Sequence, residues 1–597
     1  MSNLDLALIG NCGIAALVDR NARIVWSCFP RFDGDPVFNA LLNDDDGSAA
    51  TDGVFAIEIE DFERSHQQYR RNSAVLETVL YDRHGQSIEV IDFCPRFQHF
   101  NRYHRPASIF RMVRPLEGSP SIRIRCRPTF DYGRTKPIIT RGSNHIRYVD
   151  DLEQIRLTTD ASISYVRAET PFILDRPIHL VLGADESLAA SIRETSQRFL
   201  DETTDYWLEF SRALALPFEW QDAVIRAAIT LKLCAFEETG SILAAITTSV
   251  PEAPNTQRNW DYRFCWLRDS FFVVHALNRL GTTKTMEDYL RYITNIVAGS
   301  ADGYLEPLFS LTLRNDNYEE KTCRALAGYR GMGPVRTGNG ARGQVQNDGY
   351  GSVILSAAQM FFDNRLENPG DTHLFERLEK LGEQAVRRWN TPDAGLWELR
   401  TRERIHTFSA VMCWAACDRL AKIASRLGQD DKATRWRSEA DMMHSEITRR
   451  AYNEEIGSFV ESFEGENLDA SLLLLPELGF IRPDDPRFLG TLAASEKYLR
   501  KGDYFYRYHA MDDFGEPETA FNICTFWYIS ALAAVGRRDE ARTLFEHMLE
   551  RRNHAGLLSE DLDVNTGELW GNFPQTYSMV GMINAAMKLS KSWEEAF

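Results

Sequence analysis

The chain has 597 residues, too many for one simple core, so two domains, or one repetitive domain with a smaller companion, are expected. Its formal net charge of -18, with the acidic residues scattered rather than run together, argues against nucleic acid and anionic membrane as partners. MSNLDLALIG has no basic start before an apolar run, and no stretch of ~18 apolar residues occurs, so neither a signal peptide nor a membrane span is expected.

Residues 1–186 read as an antiparallel β-sandwich. Apolar and polar residues alternate in FAIEIEDF (55–62), SIEVIDFC (87–94), SIRIRCRPTF (121–130), ASISYVRAE (161–169) and PIHLVLGAD (177–185), which predicts strands. Between AALV (15–18) and RIVWSCF (23–29), the run Asp19-Arg20-Asn21-Ala22 predicts a hairpin turn. Residues 187–216 switch to helical spacing and read as a helical linker.

Residues 217–597 read as almost entirely helical. Amphipathic segments are predicted at 218–237, 268–280, 284–299, 347–362, 373–389, 406–427, 430–452, 468–475, 486–499, 517–535, 537–551 and 570–590. GRRDEA (536–541) is a tight helix–helix turn, whereas 300–346 and 390–405 are long connectors. Twelve helices in pairs, with long loops at one end, imply a closed all-α (α/α)6 barrel whose loops build the site. An open helical solenoid is the alternative, but no fixed repeat is visible. The ten Cys are dispersed, without a CxxC pair or Cys/His cluster, which points to a reduced, cytoplasmic chain with no metal centre. Cys413 and Cys417 fit core thiols.

Four loops carry the chemistry. They are NWDYRFCWLRDS (259–270), NGARGQVQNDGYG (339–351), DAGLWELRTRERIHT (393–407) and SEDLDVNTGELWGNFPQTYS (559–578), and each leads into a predicted barrel helix. Cleaving a glycosidic bond needs a proton for the leaving oxygen and help at the anomeric carbon, which two carboxyl groups supply. The acid must keep its proton near neutral pH, which an apolar neighbour favours. Glu398 beside Leu396 and Trp397 has such neighbours. Glu560, between Ser559 and Asp561, is expected in a more polar setting that suits an ionised base.

NWDYRFCWLRD, LWELR, DASLLLLPELGF (469–480), YRYHAMDDFGEPETAFNICTFWYISAL (506–532) and GLLSEDLDVNTGELWGNFPQTYSMVGMINA (556–585) together resemble glycoside hydrolase family 15, which holds glucoamylases, glucodextranases and some bacterial trehalases. GNCGIAALVDRNARIVWSCFPRFDGDPVFNALL (10–42) resembles the trehalase-like N-terminal β-domain of its bacterial members. The resemblance implies Glu398 as general acid, Glu560 as general base, and Arg268 and Asp269 as the pair that binds hydroxyls of the non-reducing glucose. It further implies Arg507 as a substrate-binding residue and Trp397 as a flank of the site. Gln346 and Asp348 fall near family loop positions, and Glu518 is a candidate on the leaving-group side. Bland readings stand beside these: a buried Arg268–Asp269 ion pair, helix capping by Gln346 and Asp348, and a first-turn acid at Glu518. Trp260 and Trp266 suit core packing and sugar platforms equally, and structural roles suit His406 and His509.

The implied activity is inverting, exo-acting hydrolysis of a small α-glucoside without cofactor, with oligomeric state, including a homo-oligomer, left open. Two departures from glucoamylases favour a short substrate, trehalose first: Leu399 stands where a second acid is common, and Arg342 in Gly-Ala-Arg-Gly replaces a Trp. No starch-binding module is expected after the last helix. The alternatives are glucoamylase-type action on α-1,4 or α-1,6 gluco-oligosaccharides, a disaccharide phosphorylase, and a non-catalytic glycan-binding regulator.

Overall fold

The computed structural model describes residues 3–43, 51–151, 153–314 and 318–597. Two antiparallel sheets form the N-terminal sandwich. The first runs in the order Leu6–Gly10, Ala15–Asp19, Arg23–Phe29, Val54–Ile59, Ser121–Arg127, Phe172–Ile173, with Asp35–Phe38 also on Arg23–Phe29. The second runs Ile138–Arg141, His145–Val149, Gln154–Thr159, Ile178–Gly183, Ser108–Glu117, Ser87–Phe93, Leu76–Asp82, Phe62–Tyr69. Phe55, Ile57, Ile88, Val90, Ile109 and Ile124 meet between the sheets. Arg111, fully buried, crosses that interior: it pairs with Asp92 of its own sheet and donates to the Phe55 and Ala22 carbonyls of the other. The paired carboxylate and the two carbonyls compensate the buried charge.

The predicted hairpin forms, with the Asp19 carboxylate accepting from the Asn21 and Arg23 amides, each at 2.9 Å. ASISYVRAE is not a strand. Ser162 caps a short helix, Ile163–Ala168, by accepting from the Tyr165 amide, and Glu169 ends it in the left-handed region at φ 51°. Alternation over one helical turn imitates a strand, and the cap decides the outcome. The predicted linker is the helix Ile192–Arg212, which packs Phe199 and Leu200 on the second sheet against Phe93 and Phe110. Ser87–Phe93 is therefore buried on both faces.

The helical region is a closed double ring. The inner helices are Leu267–Arg279, Asp348–Phe362, Thr407–Arg426, the short pair Ala470–Leu474 and Leu475–Leu478, Asn522–Ala534 and Thr576–Leu589. Each packs on the next, and the last returns to the first. The outer partners are Thr283–Gly299, Thr372–Arg388, Asp430–Ala451, Pro486–Leu499, Arg538–Glu550 and Gln221–Leu233. Inner helices such as Thr407–Arg426 are buried nearly all round, whereas the outer Thr372–Arg388 buries one stripe. The segments predicted at 517–535 and 570–590 begin as helices only at Asn522 and Thr576. The residues before them join a three-stranded sheet, Ala520–Phe521, Asp561–Leu562 and Leu569–Trp570. GRRDEA turns as expected, with Gly536 at φ 88°.

The sandwich grips the ring near these loops. Trp26 donates its indole N–H to the Ile246 carbonyl, and buried Arg263 reaches the Gly34 carbonyl and Tyr132 hydroxyl. No described helix is long and apolar enough to cross a membrane.

Candidate active site

One cavity lies where the inner helices begin. The long loops that feed those helices line it, so the positive ends of several helix dipoles lie around it. Arg268 and Asp269 start Leu267–Arg279, with Trp266 just before them. Glu398 lies on a turn stabilised from below. Gly395 has φ 70° and Glu398 φ 56°, and the Leu399 amide donates to the Ala394 carbonyl at 3.1 Å. A Cβ on Gly395 would meet the His406 ring at 2.7 Å. His406 has a structural role: its Nδ1 lies 2.8 Å from Asp393, whose carboxylate also accepts from the Asn347 amide and the Ser409 hydroxyl.

The Glu398 carboxyl is strongly oriented. Its Oε1 accepts from Trp266 Nε1 at 2.6 Å, Arg268 Nη2 at 3.0 Å and Gln346 Nε2 at 3.2 Å. All three donors fall on Oε1, and Glu398 is among the residues that line the cavity. The expected apolar wall is a partial match. Leu396 and Trp397 do line the cavity, but the group on the carboxyl is the Trp266 indole N–H. Trp397 instead donates to Asp469 at 2.8 Å and packs on Tyr508, Phe521 and Trp527.

Glu560 does not have the polar setting expected from its sequence neighbours. It is 1% exposed, accepts from the Tyr262 hydroxyl at 2.6 Å through Oε1, and its Oε2 has no hydrogen-bond partner. Burial, then the charges of Glu252 and Asp561, push its pKa well above the usual carboxylate range, against the pull of Tyr262 and Arg507. The carboxyl also sits tightly under Gly571, φ 77°, where an added Cβ would lie 2.6 Å from the Glu560 Cβ. Ser559 and Asp561 could not reveal this burial, because Tyr262 and Gly571, which pack on the carboxyl, and Glu252, whose charge adds to that of Asp561, are distant in sequence.

Arg507 lines the cavity but is paired with Glu252, whose other oxygen accepts from Trp260 Nε1 at 3.1 Å. Asp269 faces the cavity, and burial followed by the Glu398 and Asp348 charges carries its pKa up to about 7 despite Arg268. Gln346 and Asp348 are neither caps nor on the cavity wall. Asn347 holds the position before the helix, and Gln346 ties Arg268 to Glu398, accepting from Arg268 Nη1 at 2.8 Å. Asp348 is fully buried beneath Arg268, 3.8 Å away, with neither carboxyl oxygen hydrogen-bonded. Glu518 is a correction. It is exposed, lies outside the cavity and precedes a short strand rather than a helix. Its neighbour Thr519 turns inward, to Asp561 at 3.1 Å. His509 is exposed at the surface.

Trp260 and Trp266 both line the cavity, and Trp266 is at the same time buried in a cluster with Phe264, Leu308 and Tyr318. Leu399 lines it too, but Arg342 turns to Glu306 at 2.9 and 3.1 Å, and Ala341 takes the wall position. Tyr262, Glu252 and Tyr577 were not singled out by sequence. Tyr262 in NWDYRF and Tyr577 in the 559–578 loop lie within stretches already chosen, whereas nothing near Glu252 offered a signal. Among the described residues, no group of three or more His, Cys, Asp and Glu could hold a metal ion.

Asp561 makes a measurable contribution to stability. Unfolded, its carboxyl titrates near ~3.9. Folded, burial and the Glu252 charge, opposed by Arg507 and Thr519, place it at about 7. A raised folded pKa favours the fold while the group is protonated, so this stability is lost as pH rises from 4 through about 7. Asp561→Asn is therefore expected to raise the Tm most at pH 8, with the gain shrinking toward pH 4, as read by scanning calorimetry. A pH-independent gain would exclude this origin.

A model described as Glycosyl hydrolases family 15 matches residues 220–587, and one described as Trehalase-like, N-terminal, matches residues 4–165. The Trehalase of Thermoplasma volcanium is 33% identical over 595 residues, covering 98% of this chain and 93% of that protein. The Trehalase of Mycobacterium tuberculosis is 31% identical over 625 residues, covering 99% and 90%. A solved bacterial glucoamylase, complexed with acarbose, has the same fold at 13% identity, with a TM-score of 0.69 over 98% of this chain and 93% of its own. A helical ring matched along nearly its whole length, behind a sandwich matched by the trehalase-like model, makes this chain a member of glycosyl hydrolases family 15.

Proposed function

We propose that the chain hydrolyses trehalose with inversion, Glu398 acting as general acid and Glu560 as general base. The observation that carries the reading is the pair of carboxyls on one cavity, each held through a single oxygen, with the other left for chemistry. Arg268 and Asp269 at the cavity wall, with Arg507 and Trp397, bind and orient the glucose. Gln346 acts through Arg268 and Glu398, and Asp348 lies behind Arg268. Trehalose is favoured over longer α-glucosides because relatives named trehalases match from end to end, and because Leu399 and Ala341 bring no charge to the wall.

Glu398 Oε2 gives its proton to the glycosidic oxygen as the bond from that oxygen to the anomeric carbon breaks. Glu560 takes a proton from a water whose oxygen bonds to that carbon from the opposite face. Glu398 ends ionised and Glu560 protonated, and exchange with solvent restores both. The burial that raises the Glu560 pKa makes it a stronger base once ionised.

Trehalose has two α-configured units, so inversion yields one β-glucose and one α-glucose per turnover. Proton NMR in the first minutes is expected to show equal amounts, and α-glucose alone would mean retention. A need for phosphate with release of glucose 1-phosphate would replace hydrolysis by phosphorolysis. Tyr262→Phe tests the base. Removing the hydrogen bond that favours ionised Glu560 should move the acid limb of the kcat/KM profile to higher pH. An unmoved limb would assign that titration to another group.

A further inference from the structure

We propose that Asp513 latches the loop 399–402 to the loop 508–515 and so confines the leaving-group side of the cavity to a single sugar. The inference rests on the α-glucoside hydrolysis proposed above, and not on trehalose in particular. Leu399 and Arg400 follow Glu398 in the chain and line the cavity, so the wall they build stands beside the oxygen that Glu398 would protonate. The burial gradient gives the same orientation: Arg268 and Glu560 at the floor are buried, whereas Arg400 and Phe514 at the mouth are exposed.

The Arg400 amide donates to Asp513 Oδ2 at 2.6 Å, and the Thr401 hydroxyl donates to Asp513 Oδ1. One carboxylate thus takes a main-chain and a side-chain donor from the facing loop. Arg402 adds a bond to the Met511 carbonyl at 2.6 Å. The far loop is anchored in turn. Arg258 clasps Asp512 through two bonds, at 2.5 and 2.7 Å, and this pair is nearly inaccessible to water. Removing one partner of such a pair leaves an uncompensated charge, so the anchor is costly to break. The Asp513 contacts are at the surface and form the weaker, adjustable part of the closure.

Trp260 stands under the latch. The Arg400 guanidinium lies 4.1 Å from one of its ring centroids, and the Phe514 ring meets it edge-on at 5.4 Å. The result is a collar of three loops across the mouth. An oligosaccharide whose chain continued past the first leaving sugar would have to part Asp513 from the facing loop.

The test is a panel of trehalose, maltose and maltotetraose with wild type, Asp513→Ala and Asp513→Asn, each followed by kcat and KM. Wild type is expected to prefer a disaccharide. In Asp513→Ala the ratio of kcat/KM for maltotetraose to that for the preferred disaccharide should rise about tenfold, carried by KM for the longer substrate. Asp513→Asn, which keeps an acceptor for the Arg400 amide, should lie between the two. If Asp513→Ala does not fold, the Asn variant decides by the same ratio. A ratio unchanged in the variants overturns the latch, as does a wild type that already takes maltotetraose as well as a disaccharide. No turnover of any α-glucoside by wild type overturns the hydrolysis reading and the latch with it. Turnover with an unchanged ratio overturns the latch alone.

Discussion

Glu398→Gln is expected to lower kcat on trehalose by about 10³-fold, the scale of a lost general acid. The amide keeps an oxygen for Trp266, Arg268 and Gln346, so the turn and the surrounding network should survive. What it lacks is the proton at the Oε2 position. α-Glucosyl fluoride needs little protonation of its leaving group, so its turnover should fall far less than that of trehalose. The measurement is the pair of kcat values with a melting curve for each protein. Equal losses on both substrates would point to disturbed binding, and undiminished trehalose activity would remove Glu398 from the mechanism.

Glu560→Gln is expected to cost a similar factor of about 10³, for loss of the general base. Glu560 is buried and raised in pKa, so a neutral amide of the same shape should fold at least as well as wild type. Azide, a nucleophile that needs no deprotonation, should restore part of the rate and leave β-glucosyl azide as product, since it would enter on the face from which water attacks. Mass spectrometry and NMR identify that product. An α-azide would demand a different stereochemical course, and unchanged activity without azide would exclude Glu560 as the base. The two variants thus separate the roles, because leaving-group quality rescues one and an added nucleophile the other.

The four loops were legible in the sequence because each combines a turn signal, aromatic residues and charge just before a helical pattern. The ring placed all four at one end, as expected of helices paired by alternating short and long connectors. The electrostatics were not legible. Leu396 and Trp397 suggested a dry Glu398, yet its Oε1 is held by three N–H donors, two of them 130 and more residues away in sequence. Asp561 and Ser559 suggested a wet Glu560, yet the carboxyl is buried against Gly571 and Tyr262, and the Glu252 and Asp561 charges raise its pKa further. Neighbours in sequence project in different directions on a turn, so they rarely set the environment of the residue between them. Glu518 failed for the same reason: in Pro517-Glu518-Thr519 it is Thr519 that points inward.

Residue order alone determined the two-part architecture and the pairing of the helices, while the resemblance to glycoside hydrolase family 15 is what implied Glu398, Glu560, Arg268, Asp269, Arg507 and Trp397, all of which line one cavity. Periodicity and turn chemistry are local properties, carried by a few adjacent residues, and they reach that far. Tertiary structure decided which carboxyl is desolvated, that Ala341 rather than Arg342 lines the wall, and that Asp513 closes the mouth against Arg400 and Thr401. Desolvation and contact between distant loops depend on distances in space, which exist only once the ring has closed.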